Sequence, residues 1–161
     1  MRAGTLVEMM MDSGSPMAFM ACNCIALRRA ARRISNYYDA CLAPLGLRAT
    51  QFSMLALLGA QGAMPVNGLA RALDLDRSTA GQNLRPLERD GLVDMGRSET
   101  DGRARVVRLT PAGEARLAEA SVRWRRAQAA FEAANGAEEA SAMRAMLAAL
   151  DMPPLDSVEK G

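Results

Sequence analysis

Apolar positions recur with a helical period along most of this chain and with a period of two in one short stretch. From residue 17 onward, Cys24, Leu27, Ala31, Ile34, Tyr38, Cys41 and Leu45 follow one another at spacings of three and four. That pattern predicts a helix over 17–42 with a heptad-like apolar seam. Arg28, Arg29, Arg32 and Arg33 fall off the seam and make one flank strongly basic. Pro44 and Gly46 stop the helix. A second helix is expected over 50–58, with Thr50 as its cap and Gly59 and Gly62 at its end. Two short helices follow, 66–73 and 77–90, joined by Asp74-Leu75-Asp76. Leu69, Ala70 and Leu73 form the inward face of the first, and Ala80, Leu84 and Leu87 that of the second, which reads as a helix-turn-helix.

Either Asp76 or Ser78 can cap the second helix of that pair. Its outward side is rich in hydroxyls, amides and guanidinium groups: Arg77, Ser78, Thr79, Gln82, Asn83 and Arg85. Pro86 inside it removes a hydrogen bond to the Gln82 carbonyl and predicts a kink or loosening beyond the first turns. After Gly91 the period becomes two, with strands expected at 92–95 and 104–109 around a turn at Thr100-Asp101-Gly102. Arg97, Arg103 and Arg105 crowd this hairpin, with Arg108 farther down its second strand. Thr110-Pro111 opens a long helix to about residue 134, and a last helix is expected over 137–150 before Pro153-Pro154. Residues 1–16 carry no sustained period and end in Gly-Ser-Pro, so a frayed extension is expected there, with a loose tail over 151–161.

The fold class is therefore mainly α with a small β-wing, a winged helix-turn-helix over 49–110 flanked by long helices at 17–48 and 111–150. The flanking helices carry more apolar surface than so small a reading domain needs, and packing against a second copy is the economical use for it.

Composition narrows the chemistry. None of the 161 residues is histidine, which removes histidine general acid–base catalysis, Ser-His-Asp triads and histidine-ligated metals. Three cysteines without paired knuckles argue against a disulfide framework and against structural zinc, and fit a reducing, cytoplasmic setting. No enzyme activity, metal or cofactor is expected, and no stretch reads as a membrane span. The net charge is only +2, but it is unevenly laid out: residues 17–48 hold five Arg against one Asp, and residues 131–161 hold two cations against six acids. Arg clustered on the first helix and the hairpin is an electrostatic footprint for phosphate.

The run LARALDLDRSTAGQNLRPLERDGLV followed by DGRARVVRLTPAG resembles the MarR (multiple-antibiotic-resistance regulator) family of winged-helix transcription factors, with similarity from about residue 21 to 150. The resemblance implies a homodimer on double-stranded DNA, often a repressor released by a small phenolic ligand or by oxidation. It implies that Arg103 enters the minor groove while Asp101 braces the wing. The residues independently suit such roles: Arg103 and Arg105 fit a narrow, negative minor groove, and Gln82 or Asn83 can pair with adenine and Arg with guanine. Two alternatives are a winged-helix protein-interaction module that leaves DNA alone, and a peroxidase working through Cys24.

Two inducer sites follow. Cys24 and Tyr38 are fourteen residues apart, which resembles the family's organic-hydroperoxide-sensing branch, although Ala49 stands where that branch has a second Tyr. Fourteen helical residues rise about 21 Å, so the pair could meet only across a dimer. The plain alternative is that Cys24 and Cys41 are packed on the seam. A pocket for an aromatic carboxylate, framed by Arg32, Tyr37, Phe52 and Met54, is the other expectation.

Overall fold

A computed structural model describes residues 22–97 and 105–154. The expected frayed extension, the first turns of the first helix, the wing tip with Asp101 and Arg103, and most of the tail lie outside the described residues. In chain order the elements are α1 (Asn23–Leu42), a 3-10 turn (Ala43–Leu45), α2 (Ala49–Gln61), β1 (Met64–Pro65), α3 (Val66–Ala72), α4 (Arg77–Arg89), β2 (Val93–Arg97), β3 (Arg105–Leu109), α5 (Pro111–Asn135) and α6 (Ala137–Ala148). The fold is the mainly helical winged helix that the pattern predicts.

Burial follows the periodicity. Leu42, Met54, Leu55, Leu58, Leu69, Leu84, Leu87 and Val107 are fully buried, so α2, both helices of the helix-turn-helix and the sheet share one core. Truncating a residue in such a core, Leu84 to alanine for example, costs about 2–5 kcal/mol because the cavity closes only in part.

Several expectations need correction. The second helix starts at Ala49, not at a Thr50 cap: the Gln51 side chain reaches back to accept from the Arg48 amide at 2.9 Å, and Asp39 of α1 accepts from the Ala49 amide at 2.7 Å. Those two carboxamide and carboxylate oxygens satisfy the amides of the N-cap and first helical positions, which have no partner within the helix. The wing has a third strand, β1, whose Met64 and Pro65 pair with Val107 and Val106 of β3. Two residues carry no readable period, and Pro65 is tolerated because β1 lies at the sheet edge. Helix α4 is unbroken at Pro86, since Leu84 and Leu87 on either side are held in the core and the helix has only one turn left to run.

The Leu-Thr-Pro-Ala-Gly segment has a specific task. The Thr110 hydroxyl accepts from the Gly113 amide at 3.0 Å, capping α5, and donates to the Gly91 carbonyl at 2.6 Å. The Thr110 amide donates to the Leu92 carbonyl at 3.2 Å. This clasp presses the start of α5 onto the start of β2 so closely that a β-carbon on Gly113 would lie 1.9 Å from the Leu92 oxygen. Only glycine fits there, and the wing is thereby anchored at its base.

Candidate nucleic-acid interface

The N-terminus of α4 is fixed by Asp76. Its carboxylate accepts from the Thr79 amide at 2.8 Å and from the Thr79 hydroxyl at 2.6 Å. These bonds, the hydroxyl's first, hold the Asp76 carboxyl below the usual carboxylate range. Of the two caps left open by the sequence, Asp76 is the one used.

From that anchor, helical spacing sorts the polar residues. Ser78, Gln82 and Arg85 are exposed and recur at four and three, so they share one outward stripe, with Arg77 beside it. Thr79 and Asn83 are half-buried instead: Thr79 is tied to Asp76, and the Asn83 amide donates to the Thr79 carbonyl at 2.9 Å. Asn83 faces a cleft of about 520 Å³ that it shares with Gly46, Arg48, Gln51, Gln82 and Pro86. Sequence reasoning missed Arg48 in this setting. Its signal was its position directly before a helix N-terminus, which carries a partial positive charge of its own. Arg89 extends the outward stripe but is bonded to Asp90 at 2.9 Å, which raises its pKa.

The wing continues the basic surface. Its register sets Arg97 opposite Arg105, both exposed, and Asp94 opposite Arg108. The second pair is an ion pair at 3.4 Å, so Arg108 is partnered within the protein. Neither Arg97 nor Arg105 has an ion-pair partner among the described residues. Asp101 and Arg103 lie beyond the described part of this hairpin.

The two expected inducer sites fare differently. Cys24 is exposed on α1 rather than packed on a buried seam, because none of the described residues covers it there; Cys41 is half-buried. The Tyr38 hydroxyl donates to the Gln128 side chain, whose amide in turn donates to Glu132, which pairs with Arg144. Burial foremost, with Tyr37 and Glu132 nearby, raises the Tyr38 pKa. Tyr38 is thus engaged by α5, not by Cys24. The four residues expected to frame an aromatic carboxylate are not gathered in one place. Met54 is fully buried in the core, Phe52 stacks on Trp124 with ring centroids 5.9 Å apart, and Arg32 is exposed on α1. Tyr37 lines two clefts between α1 and α5, one of about 420 Å³ with Ile34 and Phe131, and one of about 260 Å³ with Cys41, Arg123 and Arg126. The mismatch arises because Phe52 and Met54 are inward residues of α2, which faces the core rather than the α1 surface.

Among the described residues no three His, Cys, Asp or Glu side chains gather as a metal site, and no single helix is long and apolar enough to cross a membrane.

A capped helix with an outward polar and basic stripe, beside a wing bearing exposed arginines, defines a winged-helix protein of the nucleic-acid-binding type. The chain belongs to the MarR family: the family model matches residues 45–104, and its relatives of known structure are transcriptional regulators. It is 38% identical to the transcriptional regulator MosR of M. tuberculosis, solved in complex with DNA, over 71% of this chain and 84% of that one, with a TM-score of 0.65. It is 31% identical to the transcriptional repressor CouR, solved on a 23-mer DNA duplex, over 84% and 97% of the two chains, with a TM-score of 0.74. A probable transcriptional regulator from Pseudomonas aeruginosa is also 31% identical, over 76% and 92%, with a TM-score of 0.70. Among curated proteins no sequence matches.

Proposed function

We propose that this chain is a sequence-specific DNA-binding regulator of transcription, acting in the cytoplasm as a homodimeric repressor and released by a small aromatic ligand or by cysteine oxidation. The observation that carries the reading is the outward stripe Ser78, Gln82 and Arg85 on a helix whose N-terminus is fixed by Asp76. A helix presented in this way reads base edges in the major groove with its first turns. Arg97, Arg105 and Arg103 serve the phosphates and the minor groove, and Asp101 braces the loop. Relatives solved on DNA duplexes support the assignment.

The dimer reading draws on α1, α5 and α6, where Leu27, Val122, Trp124, Met146 and Leu147 are exposed large apolar side chains. Burying them against a second copy would remove this apolar surface from water. Two reading helices held about 34–36 Å apart would then meet successive major grooves, so the site should be pseudo-palindromic. For release, Cys24 is the exposed thiol, and Tyr37 lines the α1–α5 clefts in which an aromatic anion could meet Arg123 and Arg126.

The test is selection of duplexes from a randomised library by the full-length protein, followed by mobility shift with the native protein and with Gln82→Ala and Arg85→Ala. Enrichment of an inverted repeat, with weaker binding by both variants, supports the reading. No enrichment and no salt-sensitive retention on duplex DNA would leave the protein-interaction module as the better account.

A further inference from the structure

Helix α4 contains a glycine that the fold does not require. Of the four helical glycines among the described residues, Gly59 and Gly113 sit where a β-carbon would come within 3 Å of Leu117 or of the Leu92 carbonyl. Gly68 is at ordinary contact distance from Pro65, whereas a β-carbon on Gly81 would meet nothing within 4 Å. The backbone does not require glycine either, because Gly81 is absent from the positions with positive φ. A glycine inside a helix is nevertheless unfavourable relative to alanine, through backbone entropy. Its position suggests what it is for. Gly81 is half-exposed in the second turn, three residues after Ser78 and four before Arg85, on the flank of the same outward stripe.

We propose that Gly81 is a clearance position for the floor of the DNA major groove: the missing side chain lets the α4 backbone approach the base edges closely enough for Ser78, Gln82 and Arg85 to reach them. The inference rests on the DNA-binding reading above and makes Gly81 a determinant of sequence specificity. A methyl group at this position would stand between the helix and the bases. It would hold the Ser78, Gln82 and Arg85 side chains back from hydrogen-bond distance, the shortest of them most, while the phosphate contacts of the wing arginines, set on another element, would persist. Affinity for the preferred sequence should fall toward affinity for any sequence.

The experiment uses the full-length protein, the duplex it selects from a randomised library, and a scrambled duplex of the same composition. Gly81→Ala and Gly81→Ser are compared with the native protein in thermal unfolding without DNA and in mobility shift with both duplexes. The expected result for Gly81→Ala is a Tm higher by about 2–4 °C, binding to the selected duplex weakened at least about tenfold, a loss of about 1.4 kcal/mol, and little change on the scrambled duplex. A raised Tm with unchanged binding to the selected duplex would overturn the clearance role and leave the DNA-binding reading intact. Equal weakening on both duplexes, or a lowered Tm, would also overturn it, because the glycine would then serve phosphate contact or the fold. A native protein that binds neither duplex would instead overturn the DNA-binding reading itself, and the clearance role with it.

Discussion

Arg97 of β2 and Arg105 of β3 stand directly opposite one another across the antiparallel ladder. Like charges in that position destabilise a hairpin, and one step of the same ladder shows the alternative, with Asp94 facing Arg108 as an ion pair. Side-chain alternation puts Arg97 and Arg105 on the face that carries Val93 and Val107, past the point where the core ends. The protein therefore concentrates two cations at the end of the wing ladder farthest from the Thr110 clasp, at some expense to the hairpin, an arrangement that favours an external polyanion.

Replacing either arginine by alanine is expected to leave the Tm of the free protein unchanged or slightly raised. Binding to duplex DNA should weaken, and the slope of log K against log salt concentration should flatten by about 1 for each arginine removed. A lowered Tm with unchanged DNA binding would assign these residues to the fold. Mobility shift at several salt concentrations, paired with thermal unfolding, reads both quantities.

Asp76→Ala should lower the Tm by a few degrees at neutral pH, since the Thr79 amide and hydroxyl lose their acceptor. The carboxyl titrates below its ordinary value of 3.8 in the folded protein. Its contribution is thus complete above the unfolded-state pKa and is lost as pH falls through the folded one. Solvent screening at this exposed site keeps the effect small. The Tm gap between the native protein and Asp76→Ala should close in acid, and Asp76→Asn, which still caps, should retain most of the Tm at neutral pH. A gap that persists far below the carboxylate range would contradict the assignment.

Gly113→Ala should destabilise the protein by about 1–3 kcal/mol, because the added carbon meets the backbone oxygen of Leu92 rather than a side chain that can move aside. The base of the wing should loosen first. Hydrogen exchange of β2 and β3 amides checks this: protection lost there before the α5 amides is the expected order, and unchanged protection throughout would refute the clasp.

The helices, the helix-turn-helix and the wing were legible because each buries one face, and burial leaves a period in the sequence. Thr110 as the cap of α5 was legible from the Thr-Pro pair for a similar local reason. What was not legible depends on contacts between segments. The start of α2 is set by Asp39, ten residues upstream of the amide it caps, and β1 exists only because β3 offers it an edge. The same holds for the site. The polar residues of α4 can be picked out, but separating Ser78, Gln82 and Arg85 from Thr79 and Asn83 requires the hydrogen bonds that tie Thr79 to Asp76 and Asn83 to the Thr79 carbonyl. Residue type alone does not reveal that Met54 is buried in the core or that Phe52 stacks on Trp124, so it does not locate an aromatic pocket.

Cys24 is exposed on α1 while Tyr38 is already bonded to Gln128. If oxidation is the release signal, organic hydroperoxide should dissociate the native protein from DNA and leave the Cys24→Ser variant bound. Equal release from both would remove Cys24 from the mechanism. Mobility shift before and after reduction with a thiol reagent distinguishes reversible sensing from damage.

If two copies of this chain grip a duplex through α4 and the wing, the stoichiometry and salt dependence of binding to the selected duplex, read by light scattering and by titration across a salt series, must show both. Two chains per duplex and a steep linear fall of log K with log salt, reflecting several displaced counterions, are predicted. One chain per duplex, or an affinity indifferent to salt, would contradict it.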